Sequence, residues 1–220
     1  MTLLPHIEIE PQVPADAAVI WLHGLGANGH DFEPVVPELN LPDEAPIRFI
    51  FPHAPSMPVT INGGLVMPAW YDILDLDFRG KIDEAGIKKS AAAIRLFIDR
   101  ERERGIPSER IIIAGFSQGG AVGYQAALTY PEPLAGLLAL STYLATWQSL
   151  QPDPANQGLP ILICHGLYDS VVPEILGQRS WQRLTEMGYK TEYKTYPMDH
   201  HVCGEEISDI AGWFKSILLD

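Results

Sequence analysis

Two patterns alternate along this chain: short runs rich in β-branched and aromatic residues, and longer stretches in which apolar residues recur every three or four positions. The short runs at 17–23, 47–52, 111–116, 135–140, 160–165 and 191–196 predict strands. Between the second and third, residues 82–104 carry Ile87, Ala91, Ile94, Phe97 and Ile98 at helical spacing, with Gly105 as a stop. That is an amphipathic crossover helix, and further helices are expected at 118–129, 173–187 and 205–219. Alternation of this kind predicts a mostly parallel sheet with helices on both faces. The stretch 54–77 breaks it, with Pro55, Pro58, Gly63, Gly64 and Pro68 among the apolar residues Leu65, Val66, Met67 and Trp70. A long irregular segment in a compact domain is functional or disordered, and this apolar content favours a functional loop.

Composition narrows the classes. A chain of 220 residues fits one α/β domain, spanning 1–220. The net charge of −13, from 15 basic against 28 acidic residues, argues against a nucleic-acid partner, which needs clustered Lys and Arg. The first residues show no basic stretch followed by an apolar one, so no secretory signal is expected. The most membrane-like segment, 134–147, is interrupted by Ser141 and Thr142 and is shorter than the roughly 20 residues of a spanning helix. A cytoplasmic location is the expectation. Cys164 sits in an apolar run and Cys203 in a polar loop, which suggests no disulfide framework.

The candidate chemistry centres on Gly115-Phe116-Ser117-Gln118-Gly119, which follows the run Ile111-Ile112-Ile113-Ala114 and opens a helix of small residues. This G-x-S-x-G spacing, placed between strand and helix, holds a serine hydroxyl on a sharp turn for nucleophilic attack. Glycines two positions either side let neighbouring backbone come close, and the N–H of Gln118 is left free at the helix start to meet an oxyanion. A serine nucleophile needs a base and the base an orienting carboxylate, in the order serine, acid, histidine for this arrangement. Asp169 follows the strand at 160–165, and His200 follows the strand at 191–196, both at the sheet edge where ligand chemistry gathers. His201 is an alternative base, and Asp199 an alternative orienter. The glycine-rich stretch after the first central strand, His23-Gly24-Leu25-Gly26, offers the N–H of Leu25 as a second oxyanion donor.

Two motifs are decoys. Gly24-Leu25-Gly26-Ala27-Asn28-Gly29 satisfies the dinucleotide fingerprint, but Pro34 and Pro37 interrupt the helix that should follow, and no acid ends the next strand. The acids Asp72, Asp75, Asp77, Asp83 and Glu84 hint at a calcium loop whose twelfth position is Gly86 instead of a glutamate. A solvated acidic face accounts for them.

Assembled, these residues resemble the small bacterial carboxylesterases of the α/β-hydrolase superfamily, which are similar to acyl-protein thioesterases and lysophospholipases. The resemblance covers nearly the whole chain and rests on Leu22-His23-Gly24-Leu25-Gly26, Pro52-His53-Ala54-Pro55, Val59-Thr60-Ile61-Asn62-Gly63-Gly64, Ala69-Trp70-Tyr71-Asp72, Gly115-Phe116-Ser117-Gln118-Gly119-Gly120, and His165-Gly166 with Asp169 and Val172-Pro173. It implies an α/β-hydrolase fold without an inserted lid domain, Ser117, Asp169 and His200 as catalytic triad, and Leu25 and Gln118 as oxyanion donors. It further implies an acyl groove near Leu65, Trp70, Tyr143, Leu144 and Leu176. The chain departs from the family at Ala27, Asp199 and Ala145, where the family usually has an acid, a glycine and a proline. The expected activity is hydrolysis of short- to medium-chain esters or thioesters through an acyl-serine, with no metal or organic cofactor. Long-chain lysophospholipase or acyl-protein thioesterase activity is the alternative, ahead of a serine peptidase or a non-catalytic acyl-binding protein. The substrate would be a small-molecule ester or an acylated partner, and a homodimer through the apolar edge stays open.

Overall fold

The computed structural model describes residues 2–75 and 80–219; Asp77 and the end of the 54–77 segment lie outside the described residues. In chain order the elements are β1 (His6–Ile9), β2 (Ala17–Leu22), α1 (Val35–Glu38), β3 (Ile47–Pro52), β4 (Ser56–Val59), β5 (Leu65–Pro68), α2 (Glu84–Glu103), β6 (Ile111–Phe116), α3 (Gln118–Leu128), β7 (Gly136–Leu140), β8 (Pro160–Gly166), α4 (Glu174–Glu186), β9 (Lys190–Tyr196) and α5 (Gly204–Leu218). Seven strands form one sheet in the order β1-β3-β2-β6-β7-β8-β9. All neighbours pair in parallel except β1, which runs antiparallel to β3 at the edge.

The unbroken apolar runs have a direct cause, since both faces of the central strands are buried. In β2, Ala18, Ile20 and Leu22 pack into the core beneath α2 and α3, while Ala17, Val19 and Trp21 pack into a second core with Phe214 of α5. In β6, Ile111 and Ile113 face the first core, and Ile112 and Ala114 the second. Each central strand therefore needs apolar residues at every position.

Two strand regions depart from the expectation. The sequence gives no long apolar run at β1, whose four residues alternate: Ile7 and Ile9 pack on one core while His6 and Glu8 meet Arg100 on α2. The stretch expected to be irregular contains the antiparallel pair β4–β5, with Val59 opposite Leu65 and Ser56 opposite Pro68. Its turn is closed by Gly63 and Gly64, both at positive φ.

The N-terminal edge of the sheet is stitched by charge. Arg48, at the start of β3, bonds the fully buried Glu101 of α2 at 2.5 Å and Glu10 at 2.9 Å, and Arg104 reaches Glu8, Glu10 and Glu101. The C-terminal edge carries the loops described next.

Candidate active site

Ser117 stands at the turn from β6 into α3 with φ 54° and ψ −119°, a backbone conformation an L-residue adopts only under strain. The flanking glycines make room for it. A Cβ on Gly119 would lie 2.5 Å from the His23 carbonyl oxygen, and one on Gly115 equally close to that of Gly119. The strained turn is held by Ser117 N–H donating to Leu140 O at 2.9 Å and by the Thr142 hydroxyl donating to Ser117 O at 2.6 Å.

The loops after β8 and β9 bring the other two residues to this serine. His200 Nε2 lies 2.9 Å from Ser117 Oγ, and its Nδ1 lies 2.7 Å from Asp169 Oδ2. An ionised carboxylate only accepts, so Nδ1 carries the hydrogen and Nε2 is free to take the serine proton. The imidazole also packs against Phe116, with ring centroids 4.7 Å apart. Burial opposes charge on Asp169, yet the bonds from His200 and from the N–H groups of Val172 and Val171 outweigh it and hold the carboxyl below its ordinary range. His165, buried and kept neutral by that burial, sits 3.6 Å from the same carboxylate and bonds Val172 O at 2.8 Å.

The alternatives left open by sequence are separated here. Asp199 is turned away from the imidazole: its carboxylate accepts from the N–H and hydroxyl of Ser170 and from the N–H of His200, which hold it ionised below the usual range. His201 is exposed and lines no part of the serine cavity.

The two oxyanion candidates converge as well. Gln118 opens α3 and Leu25 lies in the loop after β2, and among the described residues neither N–H has an acceptor. The Leu25 loop is fixed by His23, whose Nδ1 bonds Gly24 O at 2.7 Å and whose Nε2 accepts from Ala54 N–H at 3.0 Å. Burial depresses the His23 pKa, which keeps the ring neutral as this pair of bonds requires.

A cavity of about 300 Å³ opens at Ser117, lined by Leu25, Ile61, Tyr71, Ile73, Tyr143 and Val171 among others. This is at the small end for ligand sites, which run to about 1,000 Å³. Of the five residues expected in an acyl groove, only Tyr143 lines it. Trp70 is a correction: it is 2% exposed and lies behind the cavity, its indole N–H donating to His23 O at 2.8 Å. Leu65 is another, 62% exposed on β5 and outside the lining. Leu144 and Leu176 line a neighbouring recess instead. Sequence reasoning missed Ile61, Ile73 and Val171, single apolar residues in loops that no periodicity marks. The acids that suggested a calcium loop have structural partners: Asp72 accepts from the N–H and hydroxyl of Thr60, and Asp83 from the N–H of Asp72 and Gly86.

A mostly parallel sheet covered by helices, with serine, acid and histidine on the loops after β6, β8 and β9 at its C-terminal edge, defines an α/β-hydrolase fold. The comparisons with known proteins agree and go further. Residues 5–218 match the phospholipase/carboxylesterase family, to which this chain belongs. An acyl-protein thioesterase 1 from Neurospora crassa is 43% identical over 88% of this chain and 84% of its own length. One from Mycosarcoma maydis is 38% identical over 99% of both chains. Among solved structures, Arabidopsis thaliana SOBER1 superposes with a TM-score of 0.85 at 32% identity, covering 92% of this chain and 99% of its own. Zea mays acyl-protein thioesterase 2 gives 0.86 at 29%, covering 98% and 99%. The chain is a hydrolase whose activity is esterase or thioesterase hydrolysis. No helix among the described residues is long and apolar enough to cross a membrane.

Proposed function

We propose that the protein hydrolyses short- to medium-chain carboxylic esters or thioesters through an acyl-serine formed on Ser117. The observation that carries this reading is the single imidazole of His200 bonded to Ser117 Oγ and to Asp169 at once, beside two unclaimed N–H groups. His200 Nε2 takes the hydroxyl proton as Oγ attacks the carbonyl carbon. The oxyanion is met by the N–H groups of Leu25 and Gln118, each such donor contributing about 3 to 4 kcal/mol. The imidazolium, stabilised by Asp169, returns the proton to the leaving alcohol or thiol. Water, deprotonated by the same nitrogen, then releases the acid. The small cavity supports shorter acyl chains, whereas the names of the fungal relatives favour acyl groups carried on proteins.

The chain acts as one α/β domain on a small-molecule ester or an acylated partner. Two free cysteines fit a cytoplasmic, reducing setting. The test is hydrolysis of p-nitrophenyl esters from acetate to palmitate beside acyl-thioester peptides, with Ser117→Ala as blank. A peak at short or medium esters is expected. A peak on long-chain thioesters transfers the reading to acyl-protein thioesterase, and no turnover on any substrate sinks both.

A further inference from the structure

Beside the serine cavity, and sharing Tyr143 with it as a wall, lies a second recess of about 190 Å³. Two features set it apart. Its far side is formed by Arg179 and Arg183, one helical turn apart on α4, and by Trp147, with the Arg183 guanidinium stacked 3.2 Å above the indole. Its near side is held in place, since Leu144 N–H donates to Ser180 Oγ and Ser180 Oγ–H to Leu176 O, each at 2.8 Å. The recess is therefore pinned to α4.

These two arginines stand apart among the described residues. Among the described residues, Arg48, Arg100, Arg102, Arg104 and Arg110 each pair with a carboxylate, and Arg95 donates to Thr129. Arg179 and Arg183 do neither. Acids outnumber bases 28 to 15, so arginines without carboxylate partners run against the composition. Like charges at i,i+4 also repel. A bound anion would relieve that repulsion, and the planar guanidinium suits phosphate or carboxylate oxygens. Stacking on Trp147 fixes the orientation of one of them.

We propose that Arg179 and Arg183 form an anion subsite that holds a phosphate or carboxylate carried by the ester while its carbonyl sits at Ser117. The inference deepens the reading of the serine site and rests on it. The substrate is then an anionic ester rather than a neutral one. Overall charge works against this choice: a chain at −13 repels anions from its surface, so any preference for one must come from a local feature.

Matched pairs of esters test it. One pair carries the charge on the acyl side, p-nitrophenyl hydrogen suberate against p-nitrophenyl octanoate. The other carries it on the leaving group, the octanoyl ester of ethylene glycol monophosphate against that of ethylene glycol. In at least one pair the charged member should have the higher kcat/KM, and which pair does so tells which half of the ester bears the anion. Arg179→Gln with Arg183→Gln should lower the charged-to-neutral ratio by about tenfold, a typical scale for charge-assisted hydrogen bonds. Arg183→Lys, which keeps charge but loses the planar fork, should fall between. Equilibrium binding of both pairs to Ser117→Ala gives a readout that needs no turnover. There too the charged member should be preferred, and the double substitution should remove the preference. Charged and neutral members handled alike by the intact recess, in rate and in binding, overturn the subsite. Binding preference without any ester turnover would instead overturn the hydrolytic reading and leave the subsite standing.

Discussion

The two ends of the central sheet solve opposite problems with similar residues. At the N-terminal end charges meet across elements: Glu101, fully buried, is met by Arg48 and Arg104, and Arg110 is met by Asp16. At the C-terminal end two N–H groups have no acceptor among the described residues and Ser117 is held in a strained conformation. A satisfied network gives rigidity, whereas an unsatisfied one gives a place for a reacting molecule to complete it. The difference assigns stability to one end and chemistry to the other.

The comparison breaks most visibly at Ser117. Ser117→Ala should lower kcat by about 10⁴-fold or more while leaving the denaturation midpoint near or above that of the parent, because only the active end loses a partner. A matching loss of stability would erase the distinction. Glu101→Gln should do the reverse, costing about 1.5 to 3 kcal/mol in urea unfolding with ester turnover retained, since it weakens the charge-assisted bonds of a buried carboxylate while Arg48 keeps Glu10 and Arg104 keeps Glu8 and Glu10.

A third carboxyl sharpens the contrast. Glu206, in the first turn of α5, is fully buried without a well-formed hydrogen bond among the described residues, and burial pushes its pKa up to about 8 despite the nearby Cys203 N–H. The folded state keeps a proton there that the unfolded chain releases near 4.5, so this group's contribution to stability falls as pH rises from about 4.5 to about 8. Glu206→Gln should remove that slope, up to about 1.4 kcal/mol per pH unit, in unfolding titrations between pH 5 and 8. Identical pH profiles for the two proteins would show that Glu206 ionises as freely when folded as when unfolded. The smallest effect is expected at the neighbour of the catalytic histidine. His201→Ala should change stability by no more than about 0.5 kcal/mol and leave turnover near the parent value, whereas His200→Ala should abolish it. Equal losses in the two variants would reopen the choice of base.

How far the sequence speaks depends on whether a residue's environment repeats. Ile111-Ile112-Ile113-Ala114 announces a central strand because burial on both faces demands an unbroken run. Ser117 and Asp169 are legible because each follows such a strand and the turn after Ser117 has a steric signature at Gly119, whereas His200 follows the polar edge strand β9 and is legible from its order after serine and acid. β1 is too short for alternation to stand out, and β4 and β5 each carry a proline in a half-exposed hairpin. The groove residues were hardest to read. Trp70 and Leu65 are both apolar residues of one loop region, yet one turns into the core and the other into solvent. Only the fold around them decides which.

Gln118 contributes more than its place in the turn. Its side-chain oxygen accepts from Trp70 N–H at 2.8 Å and its amide nitrogen donates to Tyr71 O at 2.7 Å. One residue therefore ties the cavity wall at Tyr71 to the very backbone that bears the nucleophile. That wall is not an adjustable part, because shifting it to admit a longer chain would drag the serine out of line. Changes in chain-length preference have to be made at Ile61 and Ile73, whose backbones bond each other rather than the nucleophile or the acid, so that a methyl group can be added or removed while the reacting atoms stay in place.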